Sequence, residues 1–362
     1  MQLTYPLKKT ETEILNLAAA PLQNLDNTLP ILFQGDNFTV LSILLNNGYR
    51  GKIDLIYIDP PYNTQQQFTV TENRISTISR SKKGVTAYHD HWTTEEYLEF
   101  MRERLVLMRE LLSEQGSIYV HIDSKMGHYL KIIMDEIFDI ENFKNDIARI
   151  KSNPKNFSRR AYGNEKDMVL FYAKNAKKNI FNQITVPLSE TEKKEMFQKV
   201  GIDGRRYNTV PAHAPGETQN GDTGKPWRNI MPPQGRHWRC SPTELETLDN
   251  QGLIEWSKNG VPRIKKYADE HKGKKMQDVW RYKDPQYPNY PTEKNAEMLE
   301  MIIAQSSNPD SIILDCFSGG GSTLLAAQSL QRRWIGSDIS PVAMKTIQTR
   351  LGITPYQFIN LP

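Results

Sequence analysis

The sequence predicts an α/β protein built on a doubly wound, mostly parallel sheet with helices on both faces and one inserted region. Two observations predict the sheet: apolar stretches at residues 53–58 and 311–315 each end in an acid followed by a turn. A third predicts the insertion, because the regular alternation of strand and helix patterns fades between residues 177 and 285. We therefore divide the chain into a first half of the α/β domain (1–176), the insertion (177–285) and a second half (286–362).

The composition is that of a globular protein large enough to form its own hydrophobic core, with 38% hydrophobic and 24% charged residues. The net charge is only +4, so a nucleic-acid surface must come from a local cluster of basic residues. Cys240 and Cys316 are the only cysteines, which excludes a disulfide scaffold and a thiolate zinc site. The chain shows no signal peptide and no apolar run long enough to span a bilayer, so we expect a cytoplasmic protein with no membrane partner.

The first half begins with a strand that leads into Gly35 and Asp36, a helix over Asn37–Asn46, and the strand over residues 53–58. This order is a right-handed crossover, which is typical of a parallel sheet. The same pattern predicts two later helices at residues 95–114, with Thr94 as N-cap, and 123–138, and three strands at residues 117–122, 143–150 and 168–173.

Residues 65–92 have no clear periodicity, and we predict a mobile lid or ligand-binding loop there. His89, Asp90 and His91 lie within it. Adjacent residues in a polar loop lack the spacing that would present them to one ion, and no cysteine is near, so we predict no metal site.

The strand over residues 53–58 runs straight into an Asp-Pro-Pro-Tyr sequence. Pro60 and Pro61 cannot donate to a sheet, so the strand must stop and Asp59 lies at its carboxyl edge, where open α/β sheets bind ligands. The two prolines hold the Asp59 carboxylate and the Pro60 carbonyl as fixed acceptors, with the ring of Tyr62 beside them. Two acceptors and an aromatic face suit the exocyclic amino group of a flat base.

In the second half, Asp315 ends a strand and a glycine turn follows, with Phe317, Gly319 and Gly321 before a helix that begins at Ser322. No lysine precedes Ser322, so the turn is not a phosphate-binding P-loop. A second strand ends at Asp338, about twenty residues beyond the turn, where a ribose hydroxyl pair is usually held. S-adenosylmethionine matches this pattern because it carries a sulfonium and an amino group but no phosphate. Helices are predicted up to residue 305, over residues 322–331 and over Pro341–Leu351.

These motifs resemble those of the amino-group DNA methyltransferases. The stretch from Asp59 to Tyr62 resembles their catalytic motif and that from Phe317 to Gly321 their cofactor motif. Residues 290–295 resemble the Pro-Thr-x-Lys-Pro element that precedes the cofactor motif, except that Asn295 replaces its last proline. The order of catalytic motif, recognition region and cofactor motif is that of the circularly permuted β group, and the resemblance extends from residue 31 to residue 353.

The resemblance implies a Rossmann-like methyltransferase sheet and a site-specific DNA methyltransferase of the restriction-modification type. Its methyl donor would be S-adenosylmethionine and its target N6 of an adenine flipped out of double-stranded DNA. Asp rather than Ser at position 59 favours adenine. The implied catalytic residues are Asp59, Pro60, Pro61 and Tyr62. The implied cofactor-binding residues are Asp36, Thr292, Lys294, Asp315, Phe317, Gly319, Gly321, Ser322 and Asp338, of which Asp36 would meet the adenine of the cofactor.

The insertion interleaves basic and aromatic residues, and we interpret it as a target-recognition region. Arginine can grip guanine edges or phosphates with its planar fork, and aromatic rings can stack on bases. The alternative is a small α+β insertion whose tryptophans form its own core. The predicted DNA-binding residues are Arg205, Arg206, Arg228, Arg236, Arg239, Lys265 and Lys266.

Three other functions remain open from the sequence. The first is N4-cytosine methylation, which needs similar geometry. The second is a catalytically silent relative that only binds DNA, and the third is methylation of RNA or of a protein amide. A homodimer and a cognate restriction endonuclease are also open as partners. The recognition sequence cannot be derived, because base choice depends on which side chains reach the groove.

Overall fold

The computed structural model describes residues 2–20, 23–63, 66–71, 74–75, 85–90, 92–153, 160–218, 220–291 and 293–361. The chain divides into two compact units. The first combines Met1–Ile184 with Gln277–Pro362, and the second is Thr185–Met276, which is shorter at both ends than the predicted insertion. Within the ranges given, no helix has both the length and the apolar character needed to cross a membrane.

Before the insertion, the described residues of the first unit form four α-helices and eight strands. In chain order they are α1 (Glu11–Leu17), β1 (Ile31–Gln34), α2 (Asn37–Asn46), β2 (Ile53–Ile58), β3 (Gln66–Thr71), β4 (Arg74–Ile75), β5 (Val85–Asp90), α3 (Thr94–Leu111), β6 (Leu112–Ile122), α4 (Ser124–Phe138), β7 (Phe143–Ile150) and β8 (Lys166–Ala173). The sequence patterns missed α1 and the small β3, β4 and β5 sheet.

Three predictions for this part of the chain were wrong. The stretch predicted as irregular, residues 65–92, contains β3, β4 and β5, which pair as a small antiparallel sheet. The N-cap of α3 is Thr93 and not Thr94, because the Thr93 hydroxyl accepts from Glu96 N while the Glu96 carboxylate accepts from Thr93 N. Helix α3 also ends at Leu111, since Leu112 already pairs with Ile53 and extends β6.

The second unit is a small α+β structure. Its elements are β9 (Thr185–Val186), α5 (Glu190–Met196), β10 (Lys199–Val200), β11 (Arg206–Pro211), β12 (His213–Pro215), β13 (Arg236–Trp238), α6 (Pro242–Asn250), β14 (Ile254–Trp256), β15 (Pro262–Tyr267) and β16 (Lys274–Lys275). Four of its strands form an antiparallel sheet in the order β10-β11-β15-β14. Trp227 and Trp238 are buried in its core beside Leu245 and Ile264. These two tryptophans are therefore core residues, whatever the basic side chains around them do.

The chain then completes the first unit with β17 (Val279–Trp280), α7 (Ala296–Ser306), β18 (Ile312–Asp315), α8 (Ser322–Ser329), β19 (Arg333–Asp338), α9 (Pro341–Leu351) and β20 (Gln357–Asn360). The central sheet has nine strands in the order β17-β7-β8-β6-β2-β18-β19-β1-β20. All pairings are parallel except those of β8 with β6 and with β7. The predicted mostly parallel α/β sheet is thus confirmed. Four consecutive residues of β2 are buried, as expected for a strand covered on both faces.

Candidate active site

The two acid-bearing strand ends meet at one edge of the central sheet. Strands β2 and β18 are parallel neighbours, and Ile56 pairs with Leu314. Their carboxyl ends therefore lie side by side, as they do at the binding crevice of open α/β sheets. Asp59 and the glycine turn at Gly319 line the same cavity, which has a volume of about 560 Å³.

The carboxylate of Asp59 is held by two side chains. The Tyr62 hydroxyl donates to Asp59 Oδ1 at 2.7 Å. The Lys294 ammonium lies 2.6 Å from Asp59 Oδ2 and 5.4 Å from the centre of the Tyr62 ring. Lys294, which the resemblance assigned to the cofactor, thus contacts the predicted catalytic acid in this structure. The pairing joins residues on two distant parts of the chain, so no local sequence signal could have revealed it.

Tyr62 and the two prolines complete this end of the cavity. Pro60, Pro61 and Tyr62 all line it. Burial, helped by the negative charge of Asp59, raises the pKa of Tyr62 well above its usual range. Tyr62 is therefore a neutral hydrogen-bond donor to Asp59, and its ring remains available at the cavity wall.

The glycine-turn end of the cavity contains a buried acid, Asp315. Asp315 Oδ1 accepts from Phe317 N at 3.0 Å, and only 2% of the residue is exposed. Burial raises the pKa of Asp315 to about 7. Among the residues that the structure describes, no basic side chain forms an ion pair with Asp315. A buried carboxyl in this state favours a ligand that brings its own positive charge.

Asp338 fixes the glycine turn from the neighbouring strand. Its Oδ2 accepts from Gly319 N at 2.8 Å and its Oδ1 from Ser340 N at 2.9 Å, while burial raises the pKa of Asp338 to about 6. Gly319 has a φ of +49°, a left-handed conformation that glycine adopts most readily. Gly321, with φ of +78°, packs against Ile347 and is not among the residues that line the cavity. Its place in the turn is therefore structural in this fold.

A clamp behind the turn was missed by the sequence patterns. Arg350 lies 2.7 Å from the Glu293 carboxylate and donates to the Gly320 carbonyl at 2.7 Å. Ser322 also donates to Glu293, at 3.2 Å. Ser322 and Glu293 line the cavity, and Arg350 holds them from α9. Thr292, the remaining predicted residue of this segment, lies outside the described residues.

Asp36 lies at the adjacent strand end, because Gln34 of β1 pairs with Asp338 of β19. Its Oδ2 accepts from Thr39 N at 3.0 Å, which caps α2, and its Oδ1 lies 2.9 Å from Arg104. The Arg104 guanidinium covers the Phe100 ring at 3.6 Å. Phe100 in turn meets Phe317 edge to face with ring centres 6.2 Å apart. Asp36, Phe100 and Phe317 all line the cavity, and the two phenylalanine rings form an aromatic part of its wall.

The predicted DNA-binding residues of the second unit fall into two groups. Arg205 is paired with Asp269 at 2.8 Å and with Glu270 at 2.7 Å, and Arg228 is paired with Glu246 at 2.6 Å and with Asp249. These four acids neutralise both arginines. Arg205 and Arg228 are therefore poor ligands for a phosphate.

The other five predicted residues are not neutralised by acids of the described part of the chain. Arg236, Arg239 and Lys266 are exposed, and Lys265 lies 5.2 Å from the Tyr207 ring. Arg206 is half-buried and donates to the Phe197 carbonyl at 3.3 Å. None of these five side chains is in an ion pair with a carboxylate of the described part of the chain. They are the better candidates for phosphate contact.

The fold and the cavity define the class of protein. The mostly parallel α/β sheet places Asp59, an acceptor for an amino group, at one end of the cavity. The acids at the other end, Asp315 and Asp338, suit a cationic ligand with hydroxyl groups. S-adenosylmethionine fits that donor set, since the buried Asp315 can face its positive charge and Asp338 can accept from its hydroxyls. These are the features of an amino-group methyltransferase that uses S-adenosylmethionine.

The chain belongs to the N6_N4_Mtase family of DNA methylases, whose family model matches residues 53–349. It is 40% identical over 355 residues to the type II methyltransferase M.EcaI of Enterobacter cloacae, covering 96% of this chain and 75% of that one. It is 27% identical to the type III restriction-modification enzyme StyLTI Mod subunit of Salmonella typhimurium, covering 84% of this chain and 50% of that one. It is 23% identical to the DNA adenine methyltransferase YhdJ of Escherichia coli, with 84% and 78% covered. The protein is therefore a DNA methyltransferase, and S-adenosylmethionine is its methyl donor.

Proposed function

We propose that this protein methylates N6 of an adenine that is flipped out of duplex DNA, at a specific recognition sequence. The observation that carries the proposal is that Asp59 and Pro60, directly after β2, both line the cavity that the glycine turn also lines, where the Asp59 carboxylate and the Pro60 carbonyl would serve as acceptors. An acid rather than a serine at this position supports adenine over cytosine. The name of the relative from Escherichia coli, a DNA adenine methyltransferase, supports the same choice.

The chemistry follows from how these residues meet an amino group. Asp59 and the Pro60 carbonyl accept its two protons, which draws the nitrogen lone pair out of conjugation with the ring, and Tyr62 stacks on the flipped base. Flipping costs a few kcal/mol and is repaid by these contacts. Bound S-adenosylmethionine supplies an electrophilic methyl group. The rate then comes from positioning and from fixed charges in the cavity.

Binding of the base requires Asp59 to share or give up one of its present hydrogen-bond or ion-pair contacts. Both carboxylate oxygens are already engaged, Oδ1 by Tyr62 and Oδ2 by Lys294. The incoming amino group must share or replace one of these contacts. Lys294 is the side chain with room to change, because its flexible stem can carry the ammonium toward the glycine-turn end of the same cavity, where the resemblance assigns it.

The cofactor roles are assigned along the other strand ends. Asp315 would face the positive charge of the cofactor, Asp338 its ribose hydroxyls, and Asp36 with Phe317 its adenine. The chain order of catalytic edge, second unit and glycine turn supports the circularly permuted β group. We also propose a cytoplasmic location. A homodimer and a cognate endonuclease are further proposals; the restriction-modification names among the relatives support the endonuclease.

The target atom is tested by product analysis. The full-length protein is incubated with labelled S-adenosylmethionine and unmethylated genomic DNA, and the DNA is digested to nucleosides for mass identification. We expect label in N6-methyldeoxyadenosine. Label in N4-methyldeoxycytidine would replace the proposal with the cytosine alternative. No labelled nucleoside, from protein that binds the cofactor in calorimetry, would favour a catalytically silent relative.

The two groups of basic residues in the second unit predict different effects on DNA binding. Lys266→Ala and Arg236→Ala should weaken binding to all duplex sequences and lower the slope of log affinity against log salt by about one each, as expected for lost phosphate contacts. Arg228→Ala is the matched control. Its charge is already neutralised by Glu246 and Asp249, so the salt slope should hardly change.

Binding is measured by fluorescence anisotropy with a labelled duplex at several salt concentrations. A melting curve for each variant checks that the second unit stays folded. An unchanged slope for Lys266→Ala and Arg236→Ala, or an equal loss for Arg228→Ala, would contradict the assignment of the DNA-binding surface.

A further inference from the structure

A chain of buried polar side chains crosses the central sheet behind the predicted catalytic acid. The Tyr57 hydroxyl lies 2.8 Å from His121 Nδ1, and His121 Nε2 lies 3.3 Å from Asp167 Oδ2. The three residues stand on the adjacent strands β2, β6 and β8, and none is more than 3% exposed. Three linked titratable groups are costly to bury, and the methyl-transfer geometry described above uses none of them.

The far end of this chain fixes the charge of Asp167. Lys151 lies 2.5 Å from Asp167 Oδ1 and Arg149 lies 3.5 Å from Oδ2. Burial alone would raise the pKa of Asp167, but the hydrogen bond from His121 and the charge of Lys151 outweigh burial and lower it below the usual range. Asp167 is therefore an anion. Lys151 and Arg149 thus hold the anion at its two oxygens, and Arg149 also pairs with Asp284.

An anionic Asp167 determines the tautomer of His121. The Nε2–H donates to Asp167, so Nδ1 carries the lone pair and accepts the Tyr57 hydroxyl proton. Burial lowers the pKa of His121, and the charge of Lys294 lowers it further, against the opposing effects of Asp167 and Asp59. The imidazole is neutral at neutral pH. Tyr57 therefore points its proton away from the cavity and keeps oxygen lone pairs for another donor.

Tyr57 is the member of the chain that reaches the site. It lines the cavity together with Asp59, which follows two residues later, just beyond the end of β2. In the proposed base complex Asp59 accepts from the amino group and keeps at least one of its present partners, Tyr62 or Lys294, so its carboxylate is a poor final acceptor for a proton. A neutral histidine held by an anionic aspartate can accept the proton of a hydroxyl, as it does in the serine, histidine and aspartate triad of a hydrolase, and a hydroxyl that gives up its proton in this way can take up another.

We propose that Tyr57 receives the proton shed by the methylated amino group, with His121 and Asp167 as positioning residues that act through it. The inference rests on the proposed amino methylation and holds for adenine N6 or cytosine N4. The base nitrogen bonds to the methyl carbon as the carbon–sulfur bond breaks and sulfur keeps the electron pair. The surplus proton on nitrogen passes to Tyr57 Oη while the Tyr57 proton passes to His121 Nδ1. When the product leaves, the proton returns through Tyr57 to water in the cavity.

Tyr57→Phe tests the proposal because it removes only the hydroxyl. We expect the single-turnover rate to fall about a hundredfold, within the range for one proton-transfer group, with the affinities for S-adenosylmethionine and duplex DNA unchanged. The wild-type rate should fall as the pH drops through the pKa of His121, because a protonated Nδ1 cannot accept. That pH dependence and the solvent deuterium isotope effect should both disappear in Tyr57→Phe.

Tyr119→Phe is the matched control. Tyr119 pairs with Tyr57 in the sheet, is equally buried and contacts the Ser306 hydroxyl at 2.8 Å, but it is not among the cavity-lining residues. Its loss should leave rate, pH profile and isotope effect unchanged. His121→Gln is a second test variant, because the amide can accept the Tyr57 hydrogen bond but cannot take up the proton. It should lose the pH dependence as Tyr57→Phe does.

The outcomes distinguish failure of the proposed amino methylation from failure of the proton route alone. Wild-type protein that labels no amino group of a base overturns the proposed function itself. Normal labelling by the wild type, with a normal rate and isotope effect in Tyr57→Phe, overturns only the proton route. An equal loss of rate in Tyr119→Phe would also overturn the proton route, because removal of any buried hydroxyl from this sheet would then explain the result. If Tyr57→Phe fails to fold, a retained pH dependence in His121→Gln rejects the proposal and its loss supports it.

Discussion

Replacing Asp59 with asparagine is expected to lower the single-turnover rate of methyl transfer by about a thousandfold, a loss typical of removing one preorganised charged group from an active site. The amide offers one acceptor oxygen and no negative charge, so it accepts from the amino protons of the base more weakly than the carboxylate does. It also leaves Lys294 without the partner that lies 2.6 Å away. Asparagine nearly preserves the shape of the side chain, so the cofactor should still bind.

The rate is measured by rapid quench with enzyme in excess over duplex DNA, and cofactor affinity by calorimetry. Asp54→Asn is the control, since Asp54 lies on β2, the strand that Asp59 follows, accepts from Ser113 at 2.9 Å and from Ile312 N at 3.2 Å, and does not line the cavity. It should keep the wild-type rate. A near-normal rate for Asp59→Asn would remove Asp59 from the catalytic machinery.

Asp338→Ala is expected to weaken S-adenosylmethionine binding by about 10- to 100-fold. The carboxylate accepts the N–H groups of Gly319 and Ser340, and we propose that it also accepts from the ribose of the cofactor. A hydrogen bond to a charged group contributes roughly 1.5–3 kcal/mol, and 1.4 kcal/mol corresponds to a factor of ten in affinity. The substitution also frees the turn at Gly319, so binding must order a segment that Asp338 holds in the wild type.

Calorimetry with S-adenosylmethionine measures this effect, and anisotropy with a labelled duplex should show unchanged DNA binding. Asp310→Asn serves as the control because Asp310 is exposed and precedes β18, at the opposite end of that strand from the turn. An Asp338→Ala variant with wild-type cofactor affinity would show that the carboxylate only shapes the turn.

Elements with complete local signals were predicted well. Helix α2 and strands β2 and β19 have the predicted bounds, because the apolar spacing, the prolines after Ile58 and the acid after each strand are all contained in short stretches. Helix α3 was predicted too long, since pairing of Leu112 with Ile53 takes the residues after Leu111 into the sheet. The edge strand β20 was missed because Gln357–Asn360 is only half-buried and depends on β1 for its hydrogen bonds.

The roles of charged side chains were harder to predict than the elements that carry them. Arg205 and Arg228 have the composition expected of DNA ligands, yet each is paired with two acids of its own unit. Lys294 carries the role that the resemblance suggests only if it leaves Asp59. A charge pattern along the chain indicates which side chains are available, but the partner that each one meets is set by the fold.

By itself, the sequence determined where β2, β18 and β19 end and which acids stand at those ends, because proline, glycine and apolar periodicity act over a few residues. Only the tertiary structure decided which side chains these acids meet: Lys294 at Asp59, Arg350 at Glu293, and the chain from Tyr57 through His121 to Asp167. The reason is physical. Ion pairs and buried hydrogen bonds depend on distances in space between residues far apart in the chain, and the order of strands in the sheet fixes those distances.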